Sequence, residues 1–398
     1  MTRKLQPRMG PRPLPLHLLS AAAAWSSASA GLPNSNGVWP SWSPNAPADL
    51  KDALASLPRP VLDAALGRTI LARFDAFLTG LERYRAHPYS RALLDPPVMW
   101  REGATSLLDH GGEGPIVVLV PSLINRGYVL DLDEKTSLAR WLATQGLRVL
   151  RLEWGAPAAD ERDYDVAAYV LRLERALEEL GEPVHLLGYC MGGLLTVAAA
   201  IRMPIRVRSL SLLAVPWDFH ADAPDRARTL ASIHASIAPL IDRLGGMPLD
   251  LIQALFAWLD PLGAARKFSK FGTIDRDSAQ AHAFVALEDW LNDGVELTPG
   301  VAADGMARWY GDNDPVHGRW HVDGVAIDAR QVRARSLLLV PQGDRIVPPG
   351  SANALAAQLP DAEVISPPLG HIGMVVGSRA RHATWEPLRN WLKFGAPG

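Results

Sequence analysis

Apolar residues recur at intervals of three and four through Leu62, Leu66, Ile70, Phe74 and Phe77, the period of an amphipathic helix. Residues 49–95 are therefore expected to form an N-terminal helical segment. Two weaker strands follow around residues 98–108, and short apolar runs then alternate with amphipathic stretches. Residues 116–120 are apolar throughout, as a strand buried on both faces of a sheet should be. Residues 136–145 place Leu138, Trp141 and Leu142 on one helical face and end at Gly146. A strand over 148–154, a helix over 165–180 and a strand over 184–187 continue the series. A helix over 194–201 and a strand over 209–215 extend it. Such alternation predicts a mostly parallel sheet with helices on both faces.

From Trp217 to Arg333 the alternation stops. Helical stretches over 226–244, 249–259, 279–291 and 301–310 have no strands between them, which marks an inserted, mainly helical cap. The sheet pattern resumes with a strand at 336–340, a helix at 351–359, a strand at 363–365 and a closing helix near 385–391. The plan is a core of residues 96–216 and 334–398 interrupted by a cap over 217–333. That arrangement is the α/β-hydrolase fold, the fold class this sequence predicts.

Residues 1–48 differ from the rest. They are rich in proline, carry Trp25, Trp39, Trp42, Arg3, Lys4, Arg8 and Arg12, and contain no acid before Asp49. This composition suggests an irregular basic arm suited to an apolar or lipid surface. The basic start, the apolar stretch from Leu18 to Ala24 and the small residues from Ala28 to Ala30 mimic a secretory signal. The stretch is short and follows Pro11, Pro13 and Pro15, so the arm is expected to stay uncleaved.

Composition narrows the picture further. With 48% hydrophobic and 21% charged residues among 398, the chain can bury a substantial core. A net charge of −2 gives no footprint for nucleic acid. A single cysteine excludes an intramolecular disulfide and any cysteine-cluster metal site. His317 and His321 are four apart, but Gly318 and a flanking Asp-Pro predict a loop there, and no metal is expected. Residues 184–201 carry no charge, yet their glycines favour a buried strand and helix over a membrane span.

Those glycines frame the candidate chemistry. Gly188, Tyr189, Cys190, Met191, Gly192 and Gly193 follow one another between the strand and the helix, the spacing of a nucleophile elbow. Small residues allow the sharp turn that lifts Cys190 above the sheet and aims the Met191 N–H at an attacked carbonyl. Cysteine in the place of serine favours thioester chemistry, because a thiolate both attacks and leaves readily. On this fold the acid follows the strand beyond the cap and the histidine follows the last strand. Asp344 and His371 occupy those places and complete a Cys190, Asp344, His371 triad. The second oxyanion donor comes from the loop after an early strand, here the N–H of Leu123 or Ile124.

The segment from Ile124 to Leu132, the elbow, the run from Trp309 to Asn313, and the loops around Asp344 and His371 together resemble the polyhydroxyalkanoate synthases, particularly the shorter ones. The likeness spans roughly residues 98–392. Arg345 stands where that family usually has histidine, and Gly127 where it usually has a bulkier residue. The resemblance implies an acyltransferase acting on (R)-3-hydroxyacyl-CoA in the cytoplasm, at or near a polyester granule. It implies no cofactor beyond the CoA thioester substrate, and a homodimer or a second synthase subunit as partner. A hydrolase using the same triad, either an acyl-CoA thioesterase or a polyester depolymerase, is the alternative. A non-enzymatic granule protein would have no use for the three triad residues.

Overall fold

The computed structural model describes residues 8–32 and 47–394. They divide into two compact units, Arg91–Ile252 with Asp293–Gly398, and Met1–Ser90 with Gln253–Asn292.

The larger unit holds the sheet. Its strands are β1 (Val98–Glu102), β2 (Thr105–Asp109), β3 (Ile116–Val120), β4 (Arg148–Glu153), β5 (Val184–Tyr189) and β6 (Val207–Leu213). A two-stranded hairpin, β7 (His321–Val322) and β8 (Val325–Ala326), precedes β9 (Arg335–Leu339) and β10 (Glu363–Ile365). The eight-stranded sheet runs β1-β2-β4-β3-β5-β6-β9-β10. Strand β2 pairs antiparallel with β1 and β4, and every other pairing in this sheet is parallel. Strands β3, β5, β6 and β9 are buried along almost their whole length, which accounts for the wholly apolar run of β3 and the mainly apolar make-up of the others.

Register aligns their carboxyl ends. Val120 lies beside Gly188, Tyr189 beside Leu213, and Leu213 beside Leu339. The loops that leave these ends therefore emerge at one edge of the sheet, where open α/β sheets place their ligands. The buried helix Met191–Arg202 and the helix Val166–Glu179 contribute Leu194, Val197, Leu173 and Leu177 to the same core as Leu186 and Leu210.

The cap differs from the expected span. Residues 217–252 and 293–333 belong with the sheet, whereas 253–292 fall in the other unit. That unit also takes the helix Gly263–Phe271, which the apolar pattern missed because Arg266, Lys267 and Lys270 interrupt it. The helix expected over 301–310 is a short α-helix, Pro299–Ala303, continued by a π-helix over Asp304–Gly311.

The smaller unit is helical. Leu14–Ser26, Ala48–Ala55, Arg59–Arg85, Gly263–Phe271 and Ala279–Asn292 are its principal helices. Here the irregular arm expected over residues 1–48 is corrected, because Leu14–Ser26 is an α-helix. Its His17, Ala21 and Trp25, four apart, form one buried face, and Ala21 and Trp25 join a core with Phe77, Leu81, Tyr84, Phe268 and Val285. The four consecutive alanines before Trp25, residues 21–24, hid this amphipathicity. Tyr84 and Arg8 both bond Asp289, at 2.8 and 2.7 Å. Trp39 and Trp42 lie outside the described residues. Among the described residues no helix is long and apolar enough to cross a membrane.

Candidate active site

Strand β5 ends at Tyr189, and Cys190 turns the chain into the helix Met191–Arg202 with φ 55° and ψ −130°. A positive φ is strained for a non-glycine residue and recurs where structure over-determines it. The surroundings do so here. The Cys190 N–H donates to the Leu213 carbonyl at 2.9 Å, and the Gly193 N–H donates to the Cys190 carbonyl at 2.9 Å. A Cβ on Gly192 would run into the carbonyl oxygens of Val120 and Pro121, and one on Gly193 into Val215. On Gly188 it would stand 2.8 Å from the Gly193 nitrogen and 2.5 Å from the Thr196 hydroxyl. The three glycines let β3, β5 and the helix close on one another. The Met191 N–H occupies the first helical position, where no intrahelical acceptor exists.

Asp344 follows β9 and is buried. Its Oδ1 accepts hydrogen bonds from the N–H groups of Ile346 and Val347, at 2.8 and 2.9 Å. Its Oδ2 lies 2.7 Å from Nδ1 of His371. The two loops are stitched by the Gly343 N–H, which donates to the Leu369 carbonyl at 2.9 Å. The structure thus brings Asp344 and His371 together, and Cys190 is near enough to act on the imidazole. Burial alone would push the His371 pKa down. The charge at Cys190, the hydrogen bonds to Asp344 and Cys190 and the Asp344 charge outweigh it and push the pKa up to about 10. An imidazole held this way takes a proton from a thiol and retains it as an imidazolium. Cys190 itself is half-buried.

The loop after β3 carries the other expected donor. The Ile124 N–H donates to the Ser122 hydroxyl at 3.2 Å, so it is already engaged within its own loop. The next residues are fixed from below by β4. Glu153 accepts from the Gly127 N–H at 3.1 Å and pairs with Arg151 and Arg126 at 3.1 and 3.6 Å. A Cβ on Gly127 would stand 2.7 Å from the Leu152 carbonyl and 2.8 Å from the Arg151 guanidinium, which is why a bulkier residue has no room there.

Two features escaped the sequence reading. Tyr189 donates its phenol to the His371 carbonyl at 3.2 Å, and its ring lies 5.3 Å from the imidazole. Tyr310, on the π-helix, contacts the Phe219 ring edge-on at 4.9 Å. Neither the fold-back of the residue beside Cys190 nor a π-helix has a sequence signal. His317 and His321 do not share a helix, and His321 Nδ1 faces the Arg319 carbonyl at 2.8 Å. Among the described residues no group of three or more histidine, cysteine or acidic side chains is placed to hold a metal.

A parallel sheet, a strained elbow at the end of its central strand and an acid–histidine pair on neighbouring loops define an α/β-hydrolase. The chain belongs to the alpha/beta hydrolase family, whose sequence profile matches residues 92–386. Within that family it is similar to the poly(3-hydroxyalkanoate) polymerase subunits. It is 28% identical to the subunit of Haloferax mediterranei over 69% of this chain and 58% of that one. It is 28% identical to the subunit of Synechocystis over 69% of this chain and 77% of that one. The chain covers 63% of the corresponding subunit of Haloarcula marismortui, so it spans less than two thirds of this relative and of the Haloferax mediterranei one. A thermophilic esterase from Thermogutta terrifontis superposes with a TM-score of 0.49 at 18% identity, over 75% of this chain and 97% of that one.

Proposed function

We propose that the protein is a polyhydroxyalkanoate synthase-like acyltransferase that takes (R)-3-hydroxyacyl-CoA as substrate and works through Cys190, His371 and Asp344. The observation that carries this reading is the His371 imidazole, bonded to Asp344 at 2.7 Å and held protonated chiefly by the charge at Cys190. The likeness to poly(3-hydroxyalkanoate) polymerase subunits supports this choice of substrate class.

In the first half-reaction His371 takes the Cys190 proton, and the thiolate attacks the thioester carbonyl of the acyl-CoA. The oxygen of the tetrahedral intermediate receives the Met191 N–H and an N–H of the loop after β3, that of Leu123, because the Ile124 N–H is engaged by Ser122. Collapse breaks the carbon–sulfur bond to CoA, whose sulfur leaves with the proton from His371. In the second half-reaction His371 takes the proton of an incoming hydroxyl, whose oxygen attacks the Cys190 thioester. The ester forms, and Cys190 leaves as a thiol carrying that proton. Repetition lengthens a polyester. Asp344 keeps Nδ1 protonated and Nε2 facing the reacting groups throughout. The reading includes action in the cytoplasm at a polyester granule, as a homodimer or with a second subunit.

A second reading, hydrolysis of an acyl-CoA or of the polyester by the same trio, draws on the half-buried state of Cys190, which leaves the acyl group open to water. Incubation with 3-hydroxybutyryl-CoA, following CoA release and product size together, separates the two. Oligomeric product supports synthesis, free 3-hydroxybutyrate favours hydrolysis, and absence of CoA release rejects both for this substrate.

A further inference from the structure

Two consecutive residues at the end of β4 hold the loop after β3 on either side of Leu123. Ahead of it, the Trp154 indole N–H donates to the Pro121 carbonyl at 2.9 Å. Behind it, the Glu153 carboxylate accepts the Gly127 N–H at 3.1 Å. Both holding side chains are themselves fixed. Trp154 is buried, and its ring meets Tyr169 edge-on at 5.5 Å. Glu153 pairs with the Arg151 guanidinium at 3.1 Å, and buried Arg151 donates from Nε to His110 Nε2 at 3.3 Å. A Cβ on Gly127 would run into the Leu152 carbonyl and the Arg151 guanidinium, so the far end of the loop rests its backbone directly on β4.

The loop so held borders the elbow. Gly192, two residues past Cys190, lies so close to the Val120 and Pro121 carbonyls that a Cβ would collide with both. The Pro121 carbonyl is therefore wedged between the elbow helix and the Trp154 indole. Within the loop the Ile124 N–H is engaged by the Ser122 hydroxyl at 3.2 Å, which leaves Leu123 to supply the loop's N–H. An oxyanion donor acts only when it is held to within about 0.5 Å of its productive place, and a loop residue gains that precision from the rigid elements beneath it.

We propose that Glu153 and Trp154 are positioning residues that together fix the Leu123 N–H where charge collects on the carbonyl oxygen of an acyl group attacked by Cys190. This rests on the acyl-transfer reading above, and it applies to attack on a thioester or on an ester. The test compares two reactions of one thiol. Attack on an acyl group builds an oxyanion, whereas alkylation by iodoacetamide displaces iodide at a saturated carbon and builds none. Acylation is followed as CoA release from 3-hydroxybutyryl-CoA and nitrophenol release from p-nitrophenyl butyrate, and alkylation as loss of the Cys190 thiol. Trp154→Phe keeps a ring against Tyr169, removes the indole N–H and leaves every charge in place, so the test does not depend on the Glu153 variants folding. Glu153→Gln and Glu153→Met both remove the charge facing Arg151, but only glutamine keeps an oxygen for the Gly127 N–H. Acylation should fall about thirtyfold in Trp154→Phe and Glu153→Met, less than for outright loss of an oxyanion donor, with alkylation within about twofold of wild type. Glu153→Gln should recover most of that loss. Unchanged acylation in Trp154→Phe or in Glu153→Met overturns the part of the residue replaced, and equal loss in Glu153→Gln and Glu153→Met overturns the part of Glu153. A parallel fall in acylation and alkylation marks general disruption and overturns the assignment. Release of nitrophenol but not CoA by the wild-type protein removes the acyl-CoA reading alone, and the variants are then compared on the ester. Release of neither overturns both.

Discussion

Tyr189 donates its phenol to the carbonyl of His371 at 3.2 Å, so the residue immediately before Cys190 holds the backbone that carries the His371 imidazole. Its ring also lies 5.3 Å from the imidazole, inclined by 34°. Burial, then the charges at Cys190 and Asp344, keep the phenol protonated well above its ordinary range. Tyr189→Phe should cost about 1 kcal/mol of stability. It should also lower kcat several-fold, because the His371 loop loses its tether. Parallel thermal unfolding and steady-state CoA release would check this, and wild-type values in both would refute it.

His371 and Asp344 should differ in effect. In the proposed mechanism His371 handles the proton in both half-reactions, so in His371→Gln acylation should be lost. Asp344→Asn should retain more acylation than chain extension, since a thiol needs less help than a hydroxyl. Single-turnover acylation and product length, measured separately, distinguish the two steps. Equal loss of both in Asp344→Asn would contradict the assignment.

Stability should fall on the alkaline side. The His371 pKa rises from its ordinary 6.5 to about 10 in the folded chain, with the charge at Cys190 the largest raising influence. A raised pKa contributes stability that is complete below about 6.5 and is lost as pH rises through about 10. Cys190→Ala removes that influence and should flatten the decline in urea midpoint between pH 7 and 10. Superimposable pH curves for the two proteins would show that the sulfur does not hold the imidazolium.

Gly192→Ala should be severe. Its Cβ meets the Val120 and Pro121 carbonyls, which are backbone and cannot swing aside. Overpacking at this point should cost about 3 kcal/mol. It should also displace the loop after β3, so activity should fall further than stability does. Calorimetry with CoA release on the same preparation tests this; near-normal turnover would rule out close packing as the reason for glycine.

In the smaller unit, Trp25→Ala should cost about 3 kcal/mol by opening a cavity beside Phe74, whose ring meets Trp25 edge-on at 4.7 Å. A denaturation midpoint equal to wild type would argue that Leu14–Ser26 is not part of that core.

The sequence by itself determined the elements and their order around Cys190. Apolar period distinguishes buried strands from amphipathic helices, and the elbow needs small residues at fixed offsets, so both are written locally. The loops bearing Asp344 and His371 were legible for the same reason, since chain order on a parallel sheet dictates which loops share an edge. Tertiary structure alone decided the rest. It assigned residues 253–292 to the helical unit, turned an apparently irregular arm into the helix Leu14–Ser26 and wound Asp304–Gly311 as a π-helix. It engaged the Ile124 N–H with Ser122, and it brought Tyr189 to the backbone of His371 across 182 residues of sequence. Such contacts depend on burial and on the approach of distant backbone, and no local pattern of polar and apolar residues encodes them.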